Sequence, residues 1–393
     1  MQATAAGAQE MQAIRQAYQD MEVGPLEQEL EALRRFLQAA LKLEHATLPP
    51  YMTALYSLYS LGAGVPWEVI EVYRSVLVEE MLHMVLAANV LNAIGGKPVT
   101  YGQEFMPDYP ACLPYDVDNI EVSLLGFSRA AVEQALAIER PKRVDPARLR
   151  QLAHLTATGR LVNAAGVGTS AVPEVPPGMT IGEFYHFIEG KLRAVVARYG
   201  PARVFTGNVA HQIGPDIYYY EGAGNVVPVH DLDSAIEAME VIRDQGEGAS
   251  HGIWAGDRKM FHDFPEVAHY FRFNQLALGR LYVEGDTVAS GPTGPTLEVP
   301  WEHASHIVAN AKVSQYPAGS DVRAHADAFN RAYCSLLRSI DRAFNGQPNL
   351  LLGAVPHMLA IKDLAARLMR NPFPGREADG LHAAPTFEFV AVD

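Results

Sequence analysis

Two long apolar-striped segments, separated only by Gly62-Ala63-Gly64-Val65-Pro66, constrain this chain more than any other feature. Leu26 to Leu61 reads as one helix, because Leu33, Leu37, Ala40, Leu41, Leu48 and Leu55 recur at three- and four-residue spacing. Pro49-Pro50 predicts a kink within it, since proline removes a helical hydrogen bond. Pro66 to Ile94 reads as a second helix, stopped at Gly95-Gly96. Its apolar face runs Val69, Tyr73, Val76, Leu77, Met84, Ala87, Leu91. Two long helices joined by a short turn form an antiparallel hairpin.

Each stripe carries ionisable groups where a core residue belongs. Glu44 falls on the first face; Glu80 and His83 fall on the second, and their i, i+3 spacing points them the same way. A carboxylate buried ionised and alone is strongly unfavourable, so each needs a cation, a donor or a shifted pKa. A Glu-x-x-His beside a Glu from an antiparallel neighbour is half of the ligand set of carboxylate-bridged di-iron or di-manganese bundles. The competing reading is a buried ion pair between Glu44 and His83, with an arginine satisfying Glu80.

The rest of the chain supplies candidates for the other half. Short helices are expected at Ser128–Ile138 and Pro146–Thr156, and longer ones at Thr180–Tyr199, Asp231–Gln245 and Pro265–Val283. Loops fill Lys97–Asp118 and Ala164–Gly178, and Val204–Val229 is Gly- and Tyr-rich with short strands expected. This is a four-helix bundle with an extended crossover between hairpins. After a Gly/Pro/Thr-rich break the chain turns helical again at Ala324–Phe344 and Leu350–Met369. The domain reading is a metal-binding bundle over 1–285 and a helical extension over 286–393 packed on it.

Among the candidate acids, Glu183 follows Thr180 by three and would complete a capping box, whereas Glu189 lies nearer the stripe of Ile181, Ile188, Leu192 and Val195. Glu247 and Glu240 are the alternatives on the next helix. Glu266-Val-Ala-His269 is a second Glu-x-x-His. Depth in an antiparallel pair matches Glu183 with Glu247 and Glu189 with Glu240, and so chooses neither.

Composition narrows the function. With 45 acidic against 31 basic residues the formal net charge is −14, which repels nucleic acid and anionic membrane surfaces. A small-molecule substrate is the expected partner, and an oligomer is compatible with the sequence. Cys112 and Cys334 are too few for a disulfide framework or a thiolate metal site. Met1 to Asp20 lacks a basic-then-apolar layout, so the expectation is a cytoplasmic chain. The apolar stretch near Val69–Ile94 carries Glu71, Arg74, Glu79, Glu80 and His83, a charge density expected of a buried helix and not of a membrane span.

Several segments together resemble a known family: Leu43-Glu-His-Ala-Thr-Leu-Pro-Pro-Tyr51, Glu79-Glu-Met-Leu-His-Met84, Ala88-Asn-Val-Leu-Asn-Ala-Ile-Gly-Gly96, Thr180-Ile-Gly-Glu-Phe-Tyr185, Gln245-Gly-Glu-Gly248, His269-Tyr-Phe-Arg-Phe273, Ala328-Phe-Asn-Arg-Ala-Tyr333 and Pro385-Thr-Phe-Glu388. They are similar to the ferritin-like, iminophenyl-pyruvate dimer synthase family, whose best-known members couple amino-acid-derived imines in the violacein and rebeccamycin pathways. Those pathway enzymes are longer chains, and this one is expected to be a stand-alone member. The resemblance implies an all-α, ferritin-like bundle and a ligand set of Glu44, Glu80, His83, Glu183, Glu247 and His269, with Glu266 in reserve. It implies two iron ions per chain, with manganese as the alternative, in an oxidoreductase using dioxygen or peroxide.

His45, Tyr51 and Tyr185 lie near the proposed ligands in sequence and are expected to orient them or pass protons. The bland reading of both tyrosines is core packing. His303, His306, His325 and His357 lack an acid cluster nearby in sequence. Tyr218–Gly224 is a candidate loop over an aromatic substrate. Two rival functions are iron handling or peroxide disposal, and a structural bundle without metal.

Overall fold

The computed structural model describes residues 5–19, 21, 23–60, 64–113, 120–142, 145–147, 149, 179–218, 224–248, 252–258, 265–303 and 306–392. The expected helix over Pro146–Thr156 and loop over Ala164–Gly178 lie almost wholly outside these residues, as does most of Tyr218–Gly224.

Four helices make the bundle: α2 (Leu26–Ser60), α3 (Trp67–Ala93), α5 (Ile181–Tyr199) and α6 (Leu232–Glu247). They pack in a ring, α2 on α3, α3 on α6, α6 on α5 and α5 on α2. The architecture is a mostly helical four-helix bundle, as the hairpin pattern predicts. Helix α3 is long and apolar enough to cross a membrane, yet its most apolar stretch is 94% buried within the protein. Its apolar character belongs to a bundle core.

Helix starts follow local chemistry. Ser128 caps α4 (Arg129–Ile138) by accepting from the Ala131 N–H, and Thr180 and Asp231 cap α5 and α6. Inside α2, Pro50 cannot donate to the Ala46 carbonyl one turn back. The Tyr109 hydroxyl donates to that carbonyl instead, at 2.8 Å, and the helix runs through.

The fifth expected helix is shorter than its pattern. Residues Pro265–Val267 form strand β4, paired antiparallel with β3 (Trp254–Arg258), and α7 begins only at His269 and ends at Leu278. A small antiparallel pair joins β1 (Ala111–Cys112), inside the predicted loop, to β2 (Glu121–Val122), just beyond it. Between 204 and 229 no strand forms among the described residues. Instead Asn89 and Asn92 of α3 tie that segment down: the Asn89 amide donates to the Ile213 and Val227 carbonyls, and Asn92 to His211. Gly207 passes so close to α3 that a Cβ would lie 1.7 Å from the Asn92 carbonyl oxygen.

Helix α1 (Ala5–Gln19), not foreseen from its polar sequence, packs on α5, where Gly190 leaves room for the Tyr18 ring. Helices α8 (Asp321–Phe344) and α9 (Leu350–Met369) form a second hairpin, with α9 against α2 and α8 against α3. One apolar core runs continuously through both hairpins.

Candidate metal centre

Glu44 on α2 and Glu80 and His83 on α3 meet where the two stripes face each other, all buried. His83 Nδ1 lies 3.4 Å from Glu44 Oε2 and 3.8 Å from Glu80 Oε1. A second group closes on the same Glu80: His269 Nδ1 is 3.0 Å from Glu80 Oε1 and 3.4 Å from Glu139 Oε2. Each trio, Glu44/Glu80/His83 and Glu80/Glu139/His269, offers donor atoms within 4.8 Å of one another. Glu80 belongs to both.

Every one of these five side chains is held from behind. The Tyr185 hydroxyl donates to Glu44 at 2.6 Å, Thr47 to Glu80 at 2.9 Å, and Tyr51 to Glu139 at 2.6 Å. His83 Nε2 meets the Gln245 side-chain oxygen at 2.8 Å, and His269 Nε2 meets Glu79 at 2.8 Å. Arg272 in turn holds Glu79 at 2.8 Å. Metal-ligating imidazoles are oriented in this way, through the ring N–H that does not face the metal.

An Nε2–H given to Gln245 or Glu79 leaves each Nδ1 as a lone pair aimed at carboxylates, an arrangement that needs either a further proton or a cation between them. His269 Nδ1 is buried without a hydrogen-bond partner, although carboxylate oxygens of Glu80 and Glu139 lie 3.0 and 3.4 Å away. That orphaned atom, in a set of three carboxylates and two imidazoles, fits a hard-to-borderline divalent metal.

The electrostatics agree. Burial, then the neighbouring Glu139 charge, pushes the Glu80 carboxyl up to about 7. Burial alone would lower both imidazoles, but the carboxylates overcome it: Glu44 and Glu80 raise His83, and Glu139, Glu79 and Glu80 raise His269 well above its ordinary value. Burial also raises Tyr51 and Tyr185 well above the usual phenol, so both keep their protons and donate. Glu79 goes the other way: burial opposes its charge, but Arg272 and His269 lower it.

The remaining expected residues have other partners. The Glu183 carboxylate accepts from the Thr180 N–H at 3.0 Å in the capping box and from Lys142 at 3.2 Å. Glu189 is bound by Arg193 and Arg243, at 2.8 and 2.7 Å. Glu266 sits on β4, not one turn before His269 on a helix, and lies 3.6 Å from Arg272. Glu247 lines the cavity beside the acids, its carboxylate packed against Gly182. Gly182 lets that carboxylate approach closely, since a Cβ there would lie 2.3 Å from it and push it aside. Burial pushes the Glu247 carboxyl up to about 8. Thus Glu183, Glu247 and Glu266 stand outside both trios. His45 turns away from the acids to Tyr333, 2.8 Å from its hydroxyl, and burial lowers its imidazole to about 3.

Glu139 is the residue the sequence pattern missed. It is the C-cap of α4, outside any apolar stripe. One signal was present: an acid at a helix C-terminus opposes the helix dipole and calls for a compensating cation.

Residues 37–278 match the sequence profile of the family described as Ferritin-like. The chain belongs to that family. A solved ferritin-like protein from Caulobacter vibrioides is similar at 17% identity and a TM-score of 0.48, over 86% of this chain and 94% of that one. No curated protein matches in sequence. In this ferritin-like chain the carboxylate–histidine groupings are those of a bundle that can bind metal.

Proposed function

We propose that this chain is a metal-dependent oxidoreductase that holds two iron ions and uses dioxygen or peroxide to oxidise or couple an amino-acid-derived amine or imine. The observation that carries the proposal is Glu80, a single carboxylate shared by two oxygen–nitrogen donor trios. Glu44 and His83 would complete one position, Glu139 and His269 the other. Bound iron would supply electrons and Lewis acidity to the oxidant. The chain's own part is to orient and to hold protons: Tyr185 and Tyr51 fix the outer oxygens of Glu44 and Glu139, Gln245 and Glu79 set the imidazoles, and Glu247 keeps a proton at the cavity wall near neutral pH.

A second reading has a specific observation behind it. The cavity touching Glu44, Glu80, His83 and Glu139 measures about 20 Å³, room for one water and not for an organic molecule. Oxidation of ferrous iron alone, or disposal of peroxide, needs no more space.

The test is anaerobic ferrous reconstitution followed by dioxygen uptake, with and without aromatic amino acids and their imines. Two irons per chain and uptake tied stoichiometrically to loss of one organic substrate support the oxidoreductase. Turnover of ferrous iron without such a substrate supports iron handling. No bound iron overturns both and leaves buried imidazolium–carboxylate pairs.

A further inference from the structure

A second cavity, of about 270 Å³, opens where α2 and α3 pack against α8 and α9, and its lining includes none of the five grouped donors. Its walls are mostly aliphatic and methionine-rich, with Leu55, Leu77, Met52, Met81 and Met84 among them, and tyrosines and Phe344 complete the lining. Methionine side chains are unbranched and mould to chains of varying shape. An apolar void of about 150 Å³ admits a benzene-sized molecule, so this one has room for a longer hydrocarbon. Unfilled, it costs stability in proportion to its volume.

The charged groups at the cavity are of one sign. Among its described lining residues the charged ones are Arg74 and Lys362, with no carboxylate, although the whole chain carries a formal charge of −14. Arg74 is engaged by Glu71 through hydrogen bonds of 2.8 and 2.9 Å. The Lys362 ammonium instead rests 4.0 Å from the centre of the Tyr59 ring, an aromatic contact that leaves its charge uncancelled. Leu359, one turn before Lys362 on α9, lines the same cavity and is 62% exposed, so the apolar wall continues out to solvent beside the cation. A hydrocarbon-lined interior with a lysine on its wall matches a molecule with an apolar tail and an anionic head.

We propose that this cavity binds a free aliphatic carboxylic acid, its chain between the two helical hairpins and its carboxylate at Lys362, independently of the metal centre. The test is calorimetric titration of the purified chain with decanoate, before and after chelation of metal. Saturable binding of one molecule per chain is expected, tightening about fourfold per methylene from hexanoate to decanoate. Decanol, or Lys362→Ala with decanoate, should bind about tenfold more weakly. Ala354→Trp fills the cavity and should abolish binding. Should that variant fail to fold, Leu359→Glu, at an exposed position, places a carboxylate beside the lysine and should weaken decanoate while sparing decanol. Glu80→Ala should leave binding unchanged. Absent saturation, equal affinity for decanol and decanoate, tighter binding of naphthoate than decanoate, or loss of binding with the metal would each overturn the proposal.

Discussion

The two halves of the candidate metal centre are built differently. Glu44, Glu80 and His83 stand in the middle of α2 and α3, where the 3.6-residue repeat puts them on the buried face with several turns of regular helix on either side. Glu139 and His269 stand at edges: the first closes the C-terminal end of α4, the second opens α7 directly after β4. One half is rigid by periodicity. The other depends on where short elements happen to stop and start, and on Tyr51, Glu79 and Arg272 to pin it.

The largest effect should come from the residue common to both halves. Glu80→Ala is expected to take bound iron from two ions per chain to none, measured by metal analysis after anaerobic reconstitution. Retention of both ions would dissolve the comparison, because no shared ligand would then exist. Next, Glu139→Ala should cost one ion, whereas Glu183→Gln and Glu266→Gln should keep two. The reverse result would restore the ligand set implied by the family resemblance.

Smaller changes probe the pinning. Glu79→Gln leaves His269 in place but weakens what orients it, and about 10–100-fold lower metal affinity is expected at that position only. The corresponding change behind His83, Gln245→Leu, should act on the other ion, so that competition with a chelator resolves two affinities moving separately. Both ions weakening together in either variant would show one coupled unit.

The smallest effect concerns pH and the metal-free protein. The Glu247 carboxyl is raised by burial from the ordinary 4.5 to about 8, so the folded state holds its proton more tightly than the unfolded chain. Its contribution therefore turns destabilising as pH rises from about 4.5, and is fully so above about 8. Glu247→Gln should match the parent in thermal stability near pH 4 and exceed it by several degrees above pH 8. A gap constant with pH would show that this carboxyl carries no raised pKa. The same variant keeping both metal ions would set Glu247 apart from the ligands.

Much of the fold was written in regular repeats. Long stripes in α2 and α3 marked the helices, and the buried acids on them marked the first trio, since an ionisable group in an apolar repeat needs a partner. Thr180 three residues before Glu183 was readable as a capping box, and that is the interaction Glu183 makes. Glu266-Val-Ala-His269 misled because spacing gives a common face only inside a helix, and pairing with β3 holds Glu266 in a strand. Glu189 satisfied the stripe yet faces Arg193 and Arg243.

By itself, then, the sequence determined the hairpin, the bundle class and the buried positions of Glu44, Glu80 and His83, because helical periodicity is a local property that each segment carries alone. Only the tertiary structure decided that Glu139 comes to Glu80, that His45 turns to Tyr333, and that a second cavity opens between the hairpins. Those outcomes depend on how separate segments end and pack, and no spacing within one segment encodes the distance to another.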